Sequence, residues 1–243
     1  MSIWGKIIGG AAGFVIGGPL GAMLGAGVGH AMDSGLASGV GKAAEDATRK
    51  ITFTIGVIAL AAKMAKADGV VTRDEVDAFR EVFKIPPHEV KNVGRVFDMA
   101  RKDVAGYEVY AKQIADLFKG NNSVLEDLLG SLFHIAKADG HVHPKELEFL
   151  ENVSRIFGFT DACFASLKAQ FLGEDSADPY VILKVSREVS DTDLKQAYRD
   201  LIKEHHPDRL MAEGLPEEFL DVANEKLAAI NVAYDRIVSE RGL

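Results

Sequence analysis

The chain contains a single cysteine, Cys163, so no disulfide can form within it. A reducing compartment fits this composition. Basic residues are in the minority, since the 243 residues carry a formal net charge of −8 and the isoelectric point is about 5.4. Nucleic-acid-binding domains need a basic footprint, so we expect no nucleic-acid partner. The cysteine lies in an apolar stretch with Phe164 and Leu167, which predicts a packing role rather than a nucleophilic one.

Charge is also absent between Ile7 and Gly29, a stretch long enough to cross a hydrocarbon core of ~30 Å as a helix. Glycine recurs there at every fourth position, which would place a ridge of small residues along one helix face. Small residues let two helix backbones approach closely in lipid, so residues 1–32 are predicted to be a glycine-zipper membrane segment that dimerises. The residues of the predicted contact are Gly9, Gly13, Gly17, Gly21 and Gly25.

One other interpretation of this segment stays open. Gly17, Gly18 and Pro19 can form a turn, which would make a hairpin in or on one leaflet instead of a single span. A secretory signal also has a basic start and an apolar run, but no convincing cleavage site follows here. We expect a single span, followed by a small and polar tether over residues 33–50.

Strand-like alternation of apolar and polar residues is missing throughout, so the sequence predicts an all-α fold. Residues 51–172 contain an internal duplication, in which AKADGVVTRDEV at 65–76 recurs as AKADGHVHPKEL at 136–147. In each copy an Asp-Gly pair ends one apolar helical pattern, and a second helical pattern follows. Residues 51–172, called here the middle domain, are therefore predicted to form a helical domain with its own core.

The duplicated motif supplies four acidic residues, and two interpretations explain them: Asp68, Glu75, Asp139 and Glu146. One interpretation is a metal site shared between the two halves. The other, which we favour, has each aspartate bridge its own loop and each glutamate lie in the first turn of a helix, where negative charge is favourable. His141 and His143 have no counterpart in the first copy, which counts against a shared metal site. We expect no cofactor.

Near the C-terminus, two helical patterns flank a polar tip. Ser190 is a plausible N-cap, and residues 190–205 repeat apolar side chains with a helical period. Pro207 ends this helix, because proline has no N–H and disfavours a helical conformation of the residue before it. A second helical pattern covers residues 216–239. The sequence thus predicts a helical hairpin whose connection carries His206, Pro207 and Asp208.

Charge on the first helix of this hairpin is sorted by face. Lys195, Arg199 and Lys203 recur at every fourth position and form one line, called here the basic stripe. An ordinary solvated helix also carries such charges. Beside the His-Pro-Asp tip, however, a cationic docking face is the better explanation, because charge complementarity sets register and association rate at such surfaces.

The C-terminal residues resemble a J domain of the DnaJ type. The matching motifs are DPYVILKV at 178–185, AYR at 197–199, HPD at 206–208 and INVAYD at 230–235. The resemblance implies that residues 178–243, called here the C-terminal domain, recruit a DnaK-type ATPase chaperone and stimulate its ATP hydrolysis. It assigns the following residues to chaperone binding: His206, Pro207, Asp208, Lys195, Arg199, Lys203, Tyr198 and Arg209.

The segment after the tip, residues 209–216, is longer than in most J domains and is similar to that of the membrane-anchored DjlA subgroup. The duplicated motif looks like the TerB (tellurite resistance B) family, which DjlA-like proteins carry between anchor and J domain, here joined by a linker over 173–177. The resemblance implies a co-chaperone without enzymatic activity, held in the bacterial inner membrane with its bulk facing the cytoplasm. The competing hypothesis is a TerB-type stress- or metal-response protein whose J domain only recruits the chaperone.

Overall fold

Helices make up all of the regular structure in the residues that can be described. The structure, a computed structural model, describes residues 42–67, 73–85, 87, 90–100, 106–173 and 177–243. Within these ranges the predicted all-α fold class is confirmed. The glycine-rich segment over residues 1–32 lies outside them, so its predicted contact between glycines stays a prediction.

The middle domain is built around its first helix. Its helices are α1 (Lys42–Met64), α2 (Arg73–Phe83), α3 (Val90–Ala100), α4 (Tyr107–Leu117), α5 (Asn122–Ala136), α6 (Pro144–Ile156) and α7 (Asp161–Leu172). Every residue of α1 from Ile51 onward is buried, and the helix packs against α3, α4 and α5. A helix that is apolar on all sides is stable only at the centre of a bundle, which is the place α1 occupies.

The first helix also corrects one prediction. The tether predicted over residues 33–50 is helical from Lys42 onward. Alanine and glutamate in the sequence KAAEDATRK are good helix formers, and they extend the buried helix by further turns toward the N-terminus. Small and polar composition was therefore a poor guide to a flexible segment here.

The C-terminal domain contains two short α-helices besides the two predicted arms of the hairpin. Its elements are α8 (Pro179–Ile182), α9 (Asp191–Glu204), α10 (Pro207–Glu213), a 3₁₀ turn (Glu217–Phe219) and α11 (Leu220–Arg241). Helices α9 and α11 are the two arms of the predicted hairpin. The connection between them, predicted as a loop, is mostly helix α10, and the second arm begins at Leu220 rather than near Pro216.

The two domains share apolar packing. The second half of α11 packs against α9 through Ile230, Ala233 and Ile237, which together with Leu194 and Leu201 form a small core. The first part of α11 and the segment before it instead join the core of the middle domain. The residues that do so are Leu210, Leu215, Phe219, Val222 and Ala223.

Aromatic contact strengthens this junction. The ring of Phe219 meets that of Phe53 in α1 edge-to-face, with the centroids 4.8 Å apart and an interplanar angle of 81°. Such pairs contribute about 0.5–1.5 kcal/mol beyond the burial of their surface. The C-terminal domain is thus packed on the middle domain rather than connected to it by a linker alone.

Candidate functional site

Helix α9 presents the basic stripe to solvent. The side chain of Ser190 caps the helix by accepting a hydrogen bond from the backbone N–H of Asp193 at 3.1 Å, which confirms the predicted N-cap. Leu194 and Leu201 point into the core of the C-terminal domain. The members of the stripe are all exposed: Lys195, Arg199 and Lys203.

The His-Pro-Asp tripeptide begins a helix. His206 is the N-cap of α10, and its Nδ1 accepts a hydrogen bond from the backbone N–H of Asp208 at 3.2 Å. Pro207 occupies the first helical position, where a missing N–H costs nothing and the fixed φ suits a helix. The side chains of His206 and Asp208 remain 54% and 83% exposed. A loop was predicted, but proline both ends α9 and starts α10, and this leaves an imidazole and a carboxylate displayed to solvent.

The same capping arrangement occurs at a second place in the chain. His143 caps α6, Pro144 follows it, and His143 Nδ1 accepts from the backbone N–H of Lys145 at 3.2 Å. The two caps differ in their third residue, which is Lys145 in one and Asp208 in the other. Capping geometry alone therefore does not distinguish the tip of α10. The tip of α10 is distinguished by the carboxylate of Asp208 and by its position directly after the basic stripe.

Two other residues of the predicted site have contacts within the protein. Tyr198 is half-buried, stacks on Tyr234 with the centroids 4.0 Å apart, and donates a hydrogen bond to Asn231 Oδ1 at 2.9 Å. Tyr198 thus fastens α9 to α11. Arg209 lies beside the tip and donates from Nε to Glu213 Oε1 at 2.7 Å, while its side chain stays 48% exposed.

Directly behind the tip lies a group of polar and charged side chains that the sequence did not predict, and four of its five members are buried. Lys226 of α11 is fully buried, and its Nζ donates to Glu126 Oε2 at 2.8 Å and to Asp127 Oδ1 at 3.3 Å. Lys184 donates to Glu126 Oε1 at 2.7 Å. His205, the residue before the tripeptide, is fully buried with its Nε2 3.4 Å from Glu126 Oε2. These five residues are called here the ionic cluster.

Protonation within the ionic cluster follows from burial and pairing. Burial alone would raise the pKa of Glu126, but Lys226, His205 and Lys184 outweigh it and hold that pKa well below its ordinary range. Burial raises the pKa of Asp127, because Lys226 and His205 offset only part of the effect. Glu126 and Lys226 are therefore a charged pair, and Asp127 is the carboxylate that takes up a proton more readily.

Sequence signals for the ionic cluster exist, but they are weak. Lys226 is placed four residues after Val222 and four before Ile230, so it interrupts the apolar face of α11. Glu126 and Asp127 likewise interrupt an apolar run in α5. A charge inside an apolar stripe implies a buried partner of opposite sign, yet the pattern does not say which of many candidates that partner is.

The acidic residues considered for a metal are partly accounted for by local contacts. Asp139 Oδ1 accepts from the backbone N–H of His141 at 3.0 Å, and Glu146 closes the capping box of α6 through the N–H of His143 at 3.0 Å. Asp68 lies outside the described residues, as does the side chain of Glu75. Among the residues that the structure describes, no three His, Cys, Asp or Glu side chains are grouped as metal ligands.

Cys163 is next to the ionic cluster. Its Sγ lies 3.5 Å from Glu126 Oε1, and burial together with the charge of Glu126 raises the pKa of the thiol to about 11. Nucleophilic cysteines need a thiolate at neutral pH, which this environment opposes. The contact fits the predicted packing role.

Comparison with known proteins identifies each region. The tellurite resistance protein TerB model matches residues 54–169, and the DnaJ domain model matches residues 178–241. Residues 1–39 match the model of the co-chaperone DjlA transmembrane domain. In the part of the chain that the structure describes, no helix is long and apolar enough to span a membrane.

Several curated relatives are similar over most of their length. The co-chaperone protein DjlA of Vibrio parahaemolyticus is 30% identical, with 84% of this chain and 83% of the relative covered. The DjlA of Photobacterium profundum is 29% identical over 99% of both chains, and that of Coxiella burnetii is 25% identical over 74% of both. No solved structure matches the chain significantly.

A J domain fused to a TerB domain behind a matched transmembrane segment defines a J-domain co-chaperone. The chain belongs to the DjlA family of co-chaperones. The predicted resemblance of the C-terminal domain to a DnaJ-type J domain and of the middle domain to TerB is therefore confirmed.

Proposed function

We propose that the chain recruits a DnaK-type ATPase chaperone through its C-terminal domain and stimulates the ATP hydrolysis of that partner, with no catalytic activity of its own. One observation carries the proposal. The exposed imidazole and carboxylate of His206 and Asp208 follow directly on the exposed basic stripe. A cationic line beside a rigid polar tip can orient an acidic surface on the partner and then present the tip to it.

Local charge supports this assignment better than overall charge does. The whole chain is acidic, with a net charge of −8, so general electrostatic attraction to an acidic partner is not available. The basic stripe is instead a local feature of α9, and charges beyond a Debye length of ~8 Å are screened at physiological ionic strength. Attraction is therefore confined to the surface next to the tip.

Reversing Lys195, Arg199 and Lys203 to Glu is expected to slow association with a DnaK-type partner and to raise the concentration that gives half-maximal ATPase stimulation. Like charges would then face each other across the contact. Association rates measured at increasing salt test the same idea, because screening should slow wild-type association.

A matched control keeps the overall charge change equal. Reversing three exposed lysines of the middle domain, Lys112, Lys119 and Lys168, should leave association unaffected. Equal effects of the two triple variants, or wild-type association that is independent of salt, would contradict a docking role for the basic stripe.

We also propose that the N-terminal segment anchors the chain in the bacterial inner membrane with the two domains facing the cytoplasm, where ATP and a DnaK-type partner are available. The transmembrane-domain match over residues 1–39 supports the anchor. The ridge of glycines at every fourth position further favours a dimer, because small residues let two helices approach closely in lipid. Two anchors in contact would hold two C-terminal domains close together and raise the local concentration of partner-recruiting surfaces.

Changing Gly13 and Gly17 to Leu is expected to reduce self-association of the anchor in a membrane without reducing insertion, because larger side chains on the ridge separate the backbones. A reporter of transmembrane-helix association measures the first effect, and extraction with carbonate measures the second. Leucine at Gly10 and Gly27, which lie off the ridge, is the matched control. Undiminished association in the Gly13 and Gly17 variant would reject the zipper, and release by carbonate would favour a hairpin on the surface.

A further inference from the structure

The long segment after the His-Pro-Asp tripeptide is fixed to the middle domain. Leu210 and Leu215 are fully buried in the core that they share with α1 and α5. Between them Gly214 ends α10 at a φ of +110°, and an added Cβ there would lie 3.5 Å from Phe118 of the middle domain. The left-handed φ favours glycine, which lets the chain turn back into the core.

A polar contact ties α10 to the start of α5. Ser123 Oγ donates to Glu213 Oε2 at 2.9 Å, and the other carboxylate oxygen of Glu213 accepts from Arg209 at 2.7 Å. Ser123 is itself only 2% exposed. The last turn of α10 is therefore held from inside the middle domain, on the side away from the exposed tip.

The ionic cluster holds the other end of the same helix. His205, immediately before the N-cap of α10, is enclosed with Glu126 and Asp127, and Lys226 fastens α11 to the same carboxylates. Helix α10 is thus fixed before its first residue and at its last turn, and both attachments are to α5.

Helix α10 is short, so it needs these attachments to keep its orientation. Helix α10 runs only from Pro207 to Glu213, and isolated helices shorter than ~12–15 residues are marginal in water. Its direction, and so the direction in which His206 and Asp208 point, depends on what it packs against. Helix α5 of the middle domain supplies part of that surface, beside α9 and α11 of the C-terminal domain.

We propose that Ser123, Glu126 and Asp127 of the middle domain are positioning residues for the His206-Pro207-Asp208 tip, so that the site that acts on the partner ATPase is built by both domains. The proposal rests on the proposed stimulation of a DnaK-type partner. It gives the segment 209–216 a role, since that segment is one of the parts of the C-terminal domain that pack on the middle domain.

The test is Ser123→Ala in the full chain, assayed by steady-state ATPase stimulation of a DnaK-type partner well below the unfolding temperature. Ser123 is buried and cannot touch the partner, so a change in stimulation cannot come from a lost contact with the partner. We expect maximal stimulation to fall by roughly 2- to 30-fold, the range of couplings carried by residues outside a contact. The half-saturating concentration should change little, because the basic stripe sets it.

A matched control is Ser131→Ala, a buried serine of the same helix whose hydroxyl donates to the backbone carbonyl of Asp127 at 2.9 Å. It should keep maximal stimulation. Combining Ser123→Ala with Glu213→Ala should cost no more stimulation than Glu213→Ala alone, since both remove the same hydrogen bond.

The outcomes separate this proposal from the proposed function. A wild-type chain that does not stimulate the ATPase would overturn both. Stimulation by wild type that Ser123→Ala leaves unchanged would overturn the positioning role alone. An equal loss in Ser123→Ala and Ser131→Ala would also overturn it, because the loss would then reflect general weakening of α5.

Discussion

Replacing His206 with Asn is expected to remove most of the ATPase stimulation of a DnaK-type partner while leaving the fold intact. The imidazole is exposed next to Asp208, and a side chain at the centre of such a contact typically contributes about 2 kcal/mol or more, roughly 30-fold in affinity. Asparagine is chosen because His206 caps α10, and Asn is among the best N-cap residues. The free energy of unfolding should therefore change by no more than about 0.5 kcal/mol.

The chain supplies its own control for this experiment. His143→Asn makes the same change at the other His-Pro cap, at the start of α6, and should leave stimulation at the wild-type level. Thermal unfolding followed by circular dichroism checks that both variants fold. Wild-type stimulation by folded His206→Asn would show that the imidazole is not part of the contact.

Local features of the site could be predicted from sequence because they depend on nearby residues. The cap at Ser190, the apolar face with Leu194 and Leu201, and the exposed basic stripe all follow from helical period and side-chain chemistry within α9. The exposure of His206, Pro207 and Asp208 could also be predicted from neighbouring residues, but the start of a further helix at this tripeptide could not. Proline ends one helix and also favours the first position of the next, and the pattern of apolar residues does not show that a second helix follows at once.

Contacts between distant parts of the chain could not be predicted in this way. Periodicity identifies an apolar face but not the face that it meets. Lys226 and Glu126 are 100 residues apart in sequence, and neither residue indicates the other. The docking of Leu210 and Leu215 on the middle domain was missed for the same reason. The sequence shows that the segment 209–216 is longer than in most J domains, but the burial of its leucines depends on α1 and α5.

The largest effect on stability is expected from Lys226→Met. This change leaves Glu126 and Asp127 buried without their main cation, and breaking a buried ion pair in this way costs about 3–5 kcal/mol. For a chain of this size that corresponds to a lowering of the unfolding midpoint by roughly 6–20 °C. Lys168→Met, at an exposed lysine of α7, should shift the midpoint far less.

Dependence on pH and a second substitution make the prediction specific to charge. In the wild type the pKa of Glu126 is depressed, so its contribution to stability is present above its ordinary value of 4.5 and is lost as the pH falls below that value. In Lys226→Met both carboxylates are buried without the charge of Lys226, which raises their pKa values. Acidification then neutralises the carboxylates and reduces the destabilisation of the variant. The difference between the unfolding midpoints of wild type and variant should therefore narrow from pH 7 toward pH 4.

Adding Asp127→Asn to Lys226→Met should also recover part of the lost stability, because one uncompensated charge disappears. A gap that is constant with pH, with no recovery in the double variant, would mean that Lys226 acts through packing of its aliphatic chain, and that charge does not hold the two domains together.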